Sequence, residues 1–337
     1  MARFLSNLGE AGIILNIAIM LASGFLLTRI TKRLRLPDVT GYIISGVIIG
    51  PWCLKLIAPD FIEQMDFVTD LALAFIAFGV GKYFKLSALK ANGKNMVILT
   101  LFEALIAFSV CAAFVQAGSK TGHISAGQII LPIIFNISAL ALGVLSGILL
   151  SYAIHRGHSK DHSLVLACVC IMGVAGICSS MDVSPLLACM ATGTAYINTS
   201  GNKHLFKQID QFTPPLLVIF FVLSGMRLSI PSLAAAGMIG LVYFLVRIAG
   251  KYVGSTIGAI ITNASSEIRR YFGLALIPQA GVSIGLAVLG QRMLPSDSGT
   301  LLSTIILSSG LLYEIIGPAC SKLAIKKSGS IPVKENK

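Results

Sequence analysis

The chain has 337 residues, 55% of them hydrophobic and 12% charged, with a mean hydropathy of +0.86 and a formal net charge of +12. These values exclude a soluble globular domain and indicate a polytopic membrane protein. The basic excess is spread over connections and forms no patch for nucleic acid. The seven cysteines lie mostly in apolar runs without a CxxC pair and read as small buried hydrophobes with no metal or disulfide role.

Eleven apolar segments of spanning length follow in order, at about 11–29, 36–54, 66–84, 95–117, 128–154, 163–181, 184–200, 213–229, 231–262, 268–291 and 299–325. The first lacks a small-residue cleavage site and leads at once into the second, so it is a span and not a signal peptide. Together they predict an all-α transmembrane domain over 1–325, followed by a short basic tail, 326–337, at the cytoplasmic leaflet.

Loop charge gives the orientation. The odd-numbered connections and the tail carry nineteen lysines and arginines, among them Arg29, Lys32, Lys82, Lys85, Lys203, Lys207, Arg269, Arg270, Lys326 and Lys327. The other side carries five, Arg3, Lys55, Lys120, Arg227 and Arg292, and its second loop is acidic through Asp60, Glu63 and Asp66. The positive-inside rule then puts the N-terminus outside and the C-terminus in the cytoplasm.

Four charges fall inside spans, where each is expensive and therefore a functional candidate: Glu103, Arg247, Lys251 and Glu314. Arg247 and Lys251 stand one turn apart on a helix face and need carboxylate partners. Glu314 is a plausible partner for Arg247 in an ion pair tying two helices. Lys251, if paired with Glu314 or neutral, is expected to be removable at little cost in stability; a lysine out of water also exchanges its proton more readily.

The segment 271–291 carries Pro278, Gln279, Ala280 and Gly281 at its midpoint. Proline removes a backbone donor and glycine loosens the chain, so amides and carbonyls are freed at membrane depth. A broken helix facing a small ion or substrate is a recurring device of secondary transporters, although a kink satisfied by neighbouring helices has the same signature. The histidines around 155–162 read as a solvated loop, and no zinc motif, phosphate loop or nucleophile elbow indicates an enzyme.

The second span, LPDVTGYIISGVIIGPW, resembles the signature of the cation:proton antiporter superfamily of sodium/hydrogen exchanger type. The stretches DLALAFIAFGVG, VSPLLACMATGTAYIN, FTPPLLVIFFVLSGMRL, RIAGKYVGSTIGAII, IPQAGVSIGLA and YEIIGPACSKLAIKKSG follow in the matching order. The resemblance implies a bacterial plasma-membrane homodimer with inverted repeats and broken crossing helices. It would exchange sodium or potassium for protons by alternating access, without a bound cofactor. It further implies that Pro278, Gln279, Ala280 and Gly281 form the break of one crossing helix, and that Lys251 faces the ion-binding carboxylate. Asn198 matches the residue closing the SPLLA helix, with no role implied.

The family usually places two more helices between the fourth span and IILPIIFNISALALGVLSGILL. Those helices carry the other break and the ion-binding aspartate. Here only AGSKTGHISAG lies between, and no Asp-Asp or Asn-Asp occurs in the chain. Three functions remain open: an antiporter in which Glu103 or Glu314 replaces the aspartate, a transport-inactive member serving as scaffold or dimer partner, and a solute symporter of the same fold.

Overall fold

A computed structural model describes residues 10–34, 37–87, 126–154, 160–181, 185–228, 230–278 and 296–328, with isolated positions between 90 and 106 and at 283 and 287. Among these residues all regular structure is helical. In order the helices are α1 (Glu10–Arg33), α2 (Asp38–Ile49), α3 (Pro59–Gln64), α4 (Asp66–Gly81), α5 (Ala126–Ile154), α6 (Lys160–Ser180), α7 (Pro185–Ser200), α8 (His204–Phe212), α9 (Pro214–Met226), α10 (Ile230–Ile261), α11 (Ser266–Ala275) and α12 (Ser296–Lys327).

Four described stretches are long and apolar enough to cross a bilayer: Ala11–Arg33, Asn136–Ile154, His162–Ser180 and Met238–Ile261. The pair α8 and α9, bent by 47° at Thr213, is long and apolar enough only when taken together, as a broken span or a re-entrant loop. Several predicted spans are therefore shorter as helices than as apolar runs. The run 36–54 is helical only over Asp38–Ile49, because Gly50 and Pro51 end the helix and the next residues fold back on it. The amides of Gly50, Leu54 and Leu56 donate to the carbonyls of Gly46, Ile48 and Ile49 at 2.9–3.1 Å, meeting groups that hydrocarbon could not satisfy. Most of the segment 95–117 lies outside the described residues, and α12 continues to Lys327, two residues past the expected domain end.

The described helices form three packed groups. In the first, α7 lies against α4, α5 and α6, and its Tyr196 is buried among Phe78 and Phe206. The amphipathic α8 closes this group by burying Leu205, Phe206 and Ile209 while Asp210 forms an ion pair with Lys82 at 2.7 Å. In the second, α1, α2 and α9 cross at small residues. A Cβ on Gly46 would strike the Val222 carbonyl, and one on Gly225 the Ile43 carbonyl, so each helix needs the other's glycine. In the third, α10, α11 and α12 surround Phe244, Ile277 and Tyr313. Ile43, Leu73, Phe221 and Leu307 join the second group to the other two.

Candidate functional site

The third group contains the break. The last turn of α11 tightens as the Leu276 amide donates to the Phe272 and Gly273 carbonyls, at 3.2 and 3.3 Å, and the Ile277 amide to Leu274 at 3.4 Å. Pro278 comes next. It has no N–H, and the residue before a proline is disfavoured in helical backbone, so α11 stops there. Ile277 is buried against Phe244 and Tyr313, whose rings lie 4.7 Å apart, and the Tyr313 hydroxyl donates to the Phe244 carbonyl at 3.4 Å. Pro278 rests on Gly317 of α12, where a Cβ would come within 2.7 Å of the proline Cα. Gly273 makes the matching approach to α10, beside Tyr252 and Ser255. Small residues on both sides thus bring three helices to the point where the backbone opens.

Into that point reaches Lys251. Its Nζ donates to the Leu276 carbonyl at 3.4 Å, placing a cationic group beside a carbonyl at the end of the broken helix. Of the residues singled out in the sequence, Lys251 and Pro278 are therefore brought together. Arg247 turns to its own helix: Nη1 donates to the Tyr243 hydroxyl at 2.5 Å, and the guanidinium lies 5.6 Å from that ring's centroid. Gln279, Ala280, Gly281 and Glu103 lie outside the described residues, as does the side chain of Glu314, whose backbone belongs to α12.

Sequence reasoning missed three features. Asp70 is a fifth charge inside a predicted span, one turn beyond Asp66, and its carboxylate accepts from the Ser179 hydroxyl at 3.4 Å. Asn198 closes α7 by a three-way clamp: Oδ1 accepts from the Leu86 amide at 2.7 Å, and Nδ2 donates to the Phe84 and Thr194 carbonyls at 2.9 and 2.7 Å. The Leu276 carbonyl is a backbone group, which residue identity does not announce.

The sequence model of the family described as sodium/hydrogen exchanger, transmembrane, matches residues 18–125 and 103–318. The chain belongs to the sodium/hydrogen exchanger family. Within the wider cation:proton antiporter superfamily, a stretch of 88 residues is 32% identical to the probable Na(+)/H(+) antiporter 3 of Methanocaldococcus jannaschii. That stretch spans 26% of this exchanger-family chain and 22% of the relative. The solved structure of the sodium proton antiporter MjNhaP1 from the same organism, at pH 8, matches with a TM-score of 0.70. It covers 94% of this chain and 99% of that one at 18% identity, a likeness of fold. The two stretches matching the exchanger family overlap over 103–125, which holds the end of the predicted fourth span and most of the short connection after it. With 88 residues making up 22% of its length, the relative has about 400 residues, against 337 here.

Proposed function

We propose that this chain is a secondary transporter that exchanges a monovalent cation, sodium or potassium, for protons by alternating access. The observation that carries the reading is the Lys251 ammonium on the Leu276 carbonyl at the break of α11. Backbone carbonyls are the ligand type from which alkali cations accept coordination in place of water. An ammonium and a metal cation cannot hold one such carbonyl together, since like charges a few ångströms apart repel strongly where water is scarce. Cation arrival therefore displaces Lys251 or its proton, and proton return restores it, which is the competition that couples the two fluxes. Glu314, three residues before Gly317 in the sequence of α12, is the first candidate for the carboxylate that completes the site, and Glu103 the second.

The reading extends to about eleven transmembrane helices in an inverted-repeat arrangement, assembled as a homodimer in a bacterial plasma membrane with the N-terminus outside and the C-terminus cytoplasmic. A second reading, a transport-inactive member acting as scaffold or dimer partner, is favoured by the short connection AGSKTGHISAG and by the lack of any Asp-Asp or Asn-Asp in the chain. Flux separates them. Sealed vesicles containing only the purified chain, under an imposed pH gradient, are pulsed with sodium, potassium or lithium. Exchange predicts cation-dependent collapse of the gradient, reduced at least tenfold by Glu314→Gln or by Glu103→Gln. No collapse with any cation, from folded protein, assigns the chain to the second reading.

A further inference from the structure

Pro59, Pro185, Pro214, Pro215 and Pro231 stand in the first turn of their helices, where an amide has no helical acceptor to lose. Pro318 is placed differently, well inside α12, which runs as one helix from Ser296 to Lys327. In an α-helix the N–H of residue 318 is the donor to the carbonyl of residue 314. Proline has no N–H, so the main-chain carbonyl of Glu314 loses its helical donor. Helix carbonyls point toward the C-terminal end, and this oxygen therefore lies in the turn that holds Gly317. Gly317 is the residue through which α12 touches the break: a Cβ there would come within 2.7 Å of the Pro278 Cα and 3.0 Å of its nitrogen. Two interrupted hydrogen-bond ladders thus meet inside predicted spans, one opening the Leu276 carbonyl of α11 and the other the Glu314 carbonyl of α12.

We propose that the main-chain carbonyl of Glu314, released by Pro318, is a second ligand for the monovalent cation at the break, acting with the Leu276 carbonyl. On the cation reading of that site, on which this ligand rests, it adds an oxygen that none of the side-chain candidates supplies. Alkali cations take carbonyl oxygens in place of water, and the number of such dipoles bears on which ion is held. Two carbonyls from different helices form a clamp whose spacing is set by the packing of Gly317 on Pro278. The Lys251 ammonium already donates to the Leu276 member of the pair at 3.4 Å, so a cation entering the clamp meets a like charge and must displace it. A proline kept for the bend alone gains nothing from the open carbonyl. The two roles therefore give different results once the N–H is restored.

Pro318→Ala and Pro318→Gly both supply the N–H that closes the bond to the Glu314 carbonyl, and they stand at opposite ends of helix propensity among residues other than proline. Thermal unfolding of the purified full chain in detergent is followed in sodium, potassium or lithium chloride, against choline chloride at equal ionic strength. Wild type should gain Tm with at least one of the three cations. Both variants should need at least fivefold more of that cation for half of the gain, while Pro318→Ala in choline unfolds at or above the wild-type Tm. Should one variant fail to fold, the other decides. An unchanged half-saturating concentration in a folded variant overturns the second ligand and leaves the exchange reading untouched. Failure of both variants to fold, or a lower Tm of Pro318→Ala in choline, also overturns it, since the proline would then be holding the fold. A wild-type chain stabilised by none of the three cations overturns the ligand and the exchange reading together. A chain that binds as expected, with weakened variants, yet exchanges nothing in sealed vesicles keeps the ligand and loses the exchange reading.

Discussion

A single side chain, Lys251, carries most of what is distinctive at the candidate site. The expectation that it could be removed cheaply rested on the missing aspartate, and the bond from its Nζ to the Leu276 carbonyl argues for a larger cost. Removing one partner of a hydrogen bond in a poorly solvated place leaves the other unsatisfied, at about 1–3 kcal/mol, whereas the net worth of an exposed bond is smaller. Lys251→Ala is therefore expected to destabilise the purified protein by that amount, and Lys251→Arg, which keeps a donor of similar reach, by less than half as much. Thermal unfolding in detergent checks both. Equal loss in the two variants would mean that the ammonium's size, not its hydrogen bond, matters. The sequence singled out Lys251 through family resemblance, as the residue expected to face the ion-binding carboxylate, and through the cost of burying a charge. The Leu276 carbonyl among its partners was not legible there, since a main-chain group leaves no trace in residue identity. The Asn198 clamp was hidden for a related reason: two of its three partners belong to residues 84 and 86, more than a hundred positions away.

At the scale of elements, small residues decide how close the helices come. The glycines of DVTGYIISGVII were legible as a packing face, but their mates were not. Gly46 and Gly225 meet reciprocally across α2 and α9, while Gly81 meets Gly193 across α4 and α7. By contrast, a Cβ on Gly173 or Gly176 would meet nothing within 4 Å. The same substitution should therefore have opposite signs. Gly46→Ala or Gly225→Ala forces a methyl into a carbonyl of the facing helix and is expected to cost about 1–3 kcal/mol or more. Gly173→Ala, on an open face of α6, gains helix propensity and should stabilise by up to about 1 kcal/mol. Unfolding curves of the three variants test the sign, and a neutral Gly46→Ala would mean that α2 and α9 slide apart freely. Helix lengths were the least legible feature. An apolar run shows only that a segment avoids water, so 36–54 read as one span although Gly50 and Pro51 end its helix early. The bend before α9 is a second case: apolarity begins at Thr213, but the chain is already helical from His204, with an amphipathic face that buries Phe206 against Phe78 at 5.0 Å.

For the whole molecule, the contacts group the loops as the charge count does. Lys82 of the third connection joins Asp210 before α9, and the Asn198 clamp ties residues 84 and 86 to the end of α7. Arg227 meets Asp66, linking the far end of α9 to the acidic second loop. These pairs connect residues assigned to the same side, and among the described residues no ion pair links opposite sides. One native residue can turn that grouping into a direction. Cys53 is exposed just after α2, in the loop that the positive-inside rule places outside, whereas Cys178 and Cys189 are buried and Cys168, Cys170 and Cys320 are partly buried within helices. A membrane-impermeant maleimide added to intact cells should label the wild-type chain, and Cys53→Ser should lose that label while folding normally. Cys53 reacting only after the membrane is made permeable would invert the topology, putting Lys326 and Lys327 outside. The basic end would then face the leaflet that the positive-inside rule does not favour.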